Sequence, residues 1–125
     1  MRIFLADHHP QALLALKMVL QERNTFELIG EASDAESLLA QAVTCSMDLA
    51  LIDWELPGKS IDEVITLLHA STPKPIVVVM GSQPEYGRML LQAGADAFVS
   101  KGDQPDWLIE TLEKFNKQTK KNKTG

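Results

Sequence analysis

Of the features that most narrow a function, this chain has few. One cysteine, Cys45, occurs in 125 residues, so no internal disulfide can staple the fold, and no second thiol stands at metal-ligand spacing. Its expected role is packing. Long apolar runs are absent: the longest are strand-length, and Met1–Asp7 meets a charge too early for a signal peptide or a membrane span. The expected compartment is the cytoplasm. Internal repeats and low-complexity segments are missing too. Basic residues are scarce where they would count. Seven Lys and Arg face all seventeen Asp and Glu up to Glu113, and only Lys114, Lys117, Lys120, Lys121 and Lys123 follow. An acidic body argues against direct nucleic-acid binding by the domain, and the basic end is expected to be a solvated, frayed terminus.

What is present is ordinary globular material. A hydrophobic content of 45% against 23% charged residues excludes disordered and fibrous classes, and the length suits one domain. The centre of the chain is Leu49-Ala50-Leu51-Ile52-Asp53, an apolar run that ends on a carboxylate and is followed by Pro57-Gly58. It predicts a buried parallel strand, β3 (49–53), that delivers Asp53 to a loop. Taken alone, Asp53 suits a helix N-cap or a turn equally well.

The flanking elements alternate. Strand β1 (3–6) ends at Asp7-His8-His9-Pro10 and feeds helix α1, from Pro10 through Leu20. Strand β2 (26–32) precedes Ser33-Asp34-Ala35-Glu36, read as a capping box with Ser33 as N-cap of α2, whose buried face is Leu38, Leu39, Ala42 and Val43. A second box, Ser60-Ile61-Asp62-Glu63, opens α3 (61–70). Strand β4 (76–80) is β-branched on both faces. A third box, Ser82-Gln83-Pro84-Glu85, is expected to start α4, with Leu90, Leu91 and Ala93 before a stop at Gly94. Strand β5 (97–100) ends at Lys101, and α5, from about Gln104-Pro105, is expected to bury Trp107, Leu108, Leu112 and Phe115. Five strands alternating with five helices predict a doubly wound α/β parallel sheet of order 2-1-3-4-5, which brings Asp7, Asp53 and Lys101 to one sheet edge. Two adjacent carboxylates favour a hard divalent cation, and a nearby lysine suits phosphoryl transfer to a carboxylate.

Ala6-Asp7-His8-His9-Pro10, Leu51-Ile52-Asp53 with Pro57-Gly58, and Gly94–Lys101 resemble the receiver domain of two-component response regulators. The opening and the Lys101-Gly102-Asp103-Gln104-Pro105 exit look most like the subfamily with a C-terminal LuxR-type helix-turn-helix. The resemblance implies a flavodoxin-like fold and a sensor histidine kinase as partner and phosphodonor, with Asp53 as acceptor and Lys101 contacting the phosphate. It further implies Mg²⁺ held by Asp7, Asp53, the backbone oxygen of Glu55 and the position of His8. Signalling would pass through a hydroxyl after β4 and Phe98 to the α4-β5-α5 face, where a homodimer is possible, and a DNA-binding effector domain is possible beyond the C-terminus. Residues 1–118 are then the receiver and 119–125 a basic flexible tail or linker start.

Two departures stand out. His8 replaces a carboxylate, so Mg²⁺ binding is expected to be weak or absent, with Mn²⁺ or Zn²⁺ ligation or a protonated His8 as alternatives. At the switch position, Met80 or Gly81 carries no hydroxyl, and Ser82 is the nearest substitute. Phosphate-independent protein interaction is therefore the alternative function. Rivals outside this class are weaker: an aspartyl phosphohydrolase using Asp53 and Glu55 lacks a cap insertion, and a flavodoxin-like cofactor site lacks a phosphate-cradling loop.

Overall fold

A computed structural model of the protein describes residues 1–101 and 105–124, with side chains for 1–101 and 106–118. The elements are β1 (Arg2–Ala6), α1 (Pro10–Gln21), β2 (Glu27–Ala32), α2 (Ala35–Thr44), β3 (Leu49–Asp53), α3 (Ile61–His69), β4 (Ile76–Gly81), α4 (Tyr86–Gln92), β5 (Ala97–Ser100) and α5 (Pro105–Thr124). All pairings are parallel and the strand order is β2-β1-β3-β4-β5, as the alternation predicts.

The strand pleat divides the core. Ala50 and Ile52 of β3 and Val77 and Val79 of β4 pack with Leu38 of α2, Val64, Ile65 and Leu68 of α3 and Leu90 of α4. Leu49, Leu51, Val78 and Met80 point the other way, onto Leu20 of α1 and Leu108, Ile109 and Leu112 of α5. Every residue of β3 is buried, which explains its unbroken apolar run. Burying each Leu or Ile there contributes about 1.5–3 kcal/mol. Asp96, just before β5, ties β4 to α3: its Oδ2 accepts from the Val77 N–H at 2.8 Å and lies 3.0 Å from His69 Nε2.

Several local expectations shift. Asp34, not Ser33, caps α2: its side chain accepts from the Ser37 N–H at 2.7 Å, because the helix begins one residue later than the Ser-x-x-Glu pattern suggests. Ser60 caps α3 as expected, accepting from Glu63. Ser82 caps nothing; α4 starts at Tyr86 with Glu85 at its N-cap and no side-chain cap bond. Gly94 ends α4 region as expected, at a φ of +112° that L side chains rarely adopt. Val43 and Trp107, expected in the core, are exposed, as is Leu91. Each lies beside the apolar stripe of its helix, and Trp107 keeps 56% of its surface in solvent. Helix α5 runs through Thr124, consistent with the absence of Gly or Pro from 106 to 124. Gly102, Asp103 and Gln104 of the exit motif lie outside the described residues.

Candidate functional site

Three strand ends build the site. The register pairs Ala6 with Ile52 and Asp53 with Met80, so the residue that leaves β1, Asp7, emerges beside Asp53. Lys101 follows β5 directly, and its N–H donates to the Gly81 carbonyl at 2.7 Å, which fixes the lysine stem over the same edge. The predicted convergence is present. Lys101 Nζ lies 2.9 Å from Asp7 Oδ2 and 3.4 Å from Asp53 Oδ2.

Both carboxylates are buried, Asp7 at 0% and Asp53 at 2% exposure, yet their surroundings differ. Asp7 Oδ1 accepts from the His9 backbone N–H at 2.9 Å and faces His9 Nδ1 at the same distance. Burial pushes the Asp7 carboxyl up, but the hydrogen bonds from Lys101 and His9 outweigh it and hold the group below the ordinary carboxylate range. Asp53 has less support. Among the described residues, its Oδ1 accepts a long 3.4 Å bond from the Glu55 N–H, and Oδ2 has no hydrogen-bond partner. Burial, reinforced by the Asp7 charge, pushes Asp53 upward against the attraction of Lys101.

The histidines close the pocket. His8 Nδ1 and His9 Nδ1 each lie 3.5 Å from Asp53 Oδ2, and the two rings sit 3.8 Å apart. His8 joins the cluster, and so does His9, for which the sequence offers a turn role beside Pro10 or a metal role shared with His8. The Glu55 side chain is exposed, leaving its backbone as the part that faces Asp53.

The switch candidates separate by face. Met80 is buried against α1 and α5, away from Phe98. Gly81 lies on the Phe98 side: a Cβ there would stand 2.9 Å from Phe98 Cε2 and 3.1 Å from Trp54 Cδ1. Ser82 is exposed in the loop. A Cβ on Gly87 would likewise fall 2.9 Å from Phe98 Cδ1, so the Phe98 ring fits between two glycines. Trp54, next to Asp53, stacks on Tyr86 of α4 with ring centroids 4.7 Å apart. Nothing in the sequence pairs Tyr86 or Gly87 with these rings, because the start of α4 decides their positions.

Known proteins agree with this arrangement. The response regulator receiver domain model matches residues 3–113. The DNA-binding transcriptional activator EvgA of Escherichia coli (strain K12) is 27% identical over 115 residues, covering 90% of this chain and 56% of that protein. The response regulator UvrY of the same strain is 25% identical over 112 residues, 88% of this chain and 51% of its own length. The chain therefore spans about half the length of these relatives. A CheY-like response regulator receiver domain protein from Methanospirillum hungatei JF-1 superposes with a TM-score of 0.81 at 28% identity, over 96% of this chain and 97% of that one. With its strand order, its strand-end carboxylates and its lysine in place, the chain belongs to the response regulator receiver domain family of two-component signalling.

Proposed function

We propose that Asp53 accepts a phosphoryl group from a sensor histidine kinase and that the change is read on the surface formed by α4, β5 and α5, as the regulatory part of a transcription regulator. The observation that carries this reading is the position of Lys101 Nζ, 2.9 Å from Asp7 Oδ2 and 3.4 Å from Asp53 Oδ2. In the transfer, an oxygen of ionised Asp53 attacks the phosphorus of a phosphoimidazole. The N–P bond breaks, its electron pair stays on the ring nitrogen, which takes a proton, and the new O–P bond leaves an acyl phosphate on Asp53. Lys101 neutralises charge that develops on the phosphoryl oxygens. The DNA-binding part would be a separate domain outside this chain. Exposed Met89 and Leu91 on α4 and Trp107 on α5 supply apolar surface for a second copy or another partner.

The Mg²⁺ implied by the family fits poorly. Asp7, Asp53 and the Glu55 carbonyl are hard oxygens suited to it, but His8 offers nitrogen where a carboxylate is needed, and Mg²⁺ seldom takes imidazole. A second reading, a phosphate-independent interaction module, is favoured by Gly81, which has no hydroxyl to follow a phosphoryl group, and by the close seat of Phe98 between Gly81 and Gly87.

Acetyl phosphate labelling followed by intact mass tests both. Slow labelling of the wild type, none in Asp53→Asn, and labelling about tenfold faster in His8→Asp with Mg²⁺ would support the acceptor reading. Failure of both wild type and His8→Asp to label would overturn it in favour of the interaction module.

A further inference from the structure

Asp7, His8, His9 and Asp53 each bring one ligand atom into a group whose members all lie within 4.8 Å of one another. Two of the four donors are imidazole nitrogens, and both approach the same carboxylate oxygen, Asp53 Oδ2, at 3.5 Å. That distance is outside good hydrogen-bond range. It is the spacing of neighbouring ligand atoms around one ion: with bonds of about 2.0–2.1 Å, tetrahedral neighbours stand about 3.4 Å apart.

Among the described residues, Asp53 Oδ2 and His8 Nδ1 are both buried without a hydrogen-bond partner, and Asp53 is only 2% exposed. Leaving such groups unmatched is unfavourable, and a cation bonded to both would satisfy them. The other two donors are 2.9 Å apart, His9 Nδ1 and Asp7 Oδ1, a distance at which they share a proton that a metal ion can replace. Charge decides which ion. Lys101 sits on Asp7 Oδ2 and near Asp53 Oδ2, so the two carboxylates are already half neutralised. A hard ion held by charge alone gains little there, whereas an ion that forms strong bonds to nitrogen does not depend on charge to the same degree.

We infer that this pocket binds a borderline transition-metal dication of the Zn²⁺ class through Asp53, His8, His9 and Asp7, in place of Mg²⁺. Entry is open, since the His8 and His9 side chains keep 34% and 51% of their surface in solvent. The inference rests on the proposed function only for the location of the pocket. Its test uses metal ions alone, with no phosphodonor, so either can fail while the other stands.

The experiment is calorimetric titration of the metal-free chain with Zn²⁺, Mn²⁺ and Mg²⁺, with Trp54 fluorescence as a second readout and the visible spectrum of bound Co²⁺ as a third. Zn²⁺ is expected to bind tightest, about 100-fold or more above Mg²⁺, with Mn²⁺ between them. His8→Ala and His9→Ala should each weaken Zn²⁺ about 10–100-fold and diminish the Co²⁺ bands, while His8→Asp moves the preference toward Mg²⁺. Cys45→Ser and His69→Ala, which remove the single cysteine and the third histidine, should leave Zn²⁺ binding unchanged. Equal affinity for Mg²⁺ and Zn²⁺, or a Zn²⁺ affinity that ignores His8→Ala and His9→Ala and follows Cys45 or His69, would overturn the inference. Far-UV circular dichroism confirms that these partly exposed substitutions keep the fold.

Discussion

At the level of single residues, the two buried carboxylates pull in opposite directions with pH. Asp7 is held below its ordinary value of 3.8 and Asp53 above it. For Asp7, the ionised form is favoured by folding, so its contribution is present above 3.8 and is lost as pH falls through the lower folded value. For Asp53, folding favours the protonated form, so stability is lost as pH rises from 3.8 through the raised folded value. In chelated buffer, Asp53→Asn should therefore be more stable than wild type at neutral pH, an advantage that vanishes below 3.8, and Asp7→Asn should be less stable at neutral pH. Urea midpoints across that range check both signs. A second prediction concerns Gly81. Gly81→Thr forces a Cβ within 2.9 Å of the Phe98 ring and should cost about 1–3 kcal/mol by overpacking. Phe98→Ala should absorb most of that cost, giving a favourable coupling of at least about 0.5 kcal/mol in a double-mutant cycle. Asp7, Asp53 and Lys101 were legible beforehand because each is a charge that ends an apolar run. Tyr86 and Gly87 were not, since their roles depend on where α4 starts in space, and for His9 the sequence alone does not choose between a turn and a place in the cluster.

Among the elements, every strand and helix was legible from apolar periodicity, and the errors fall at helix ends and flanks. Three Ser-x-x-Glu patterns looked alike, yet only Ser60 caps; at α2 the adjacent Asp34 does so, and before α4 the loop continues to Glu85. The pattern cannot choose between neighbouring candidates, because the strand-to-helix connection sets which backbone N–H groups are left to be satisfied. The consequence is measurable. Asp34→Ala should destabilise the chain by about 1 kcal/mol, while Ser33→Ala, at an exposed position outside the helix, should stay within about 0.5 kcal/mol. Reversed values in thermal or urea unfolding would restore Ser33 as the cap. Exposure of Val43 and Trp107 has a similar origin: a stripe of period 3.6 is drawn wider on paper than the sheet beneath it can cover.

For the molecule as a whole, the sheet order follows from strict alternation, and the charge distribution limits what the domain does by itself. The relatives that extend beyond this chain include a DNA-binding transcriptional activator, yet all seventeen carboxylates here lie at or before Glu113 and the lysines that follow number five. Binding to duplex DNA depends on neutralising phosphates and releasing counterions, with affinity falling by a power of salt set by the number of contacts. Five lysines on one helix, attached to a strongly acidic body, can supply a few contacts at low salt and are opposed by the repulsion of the rest. The chain is therefore expected to bind duplex DNA no more tightly than about 10⁻⁴ M at physiological salt, with equal affinity for any sequence. Fluorescence anisotropy with two unrelated duplexes, at low and physiological salt, checks this. Sequence-selective binding that survives physiological salt would mean that the basic end of α5 reads DNA directly and that the division of labour proposed here is wrong.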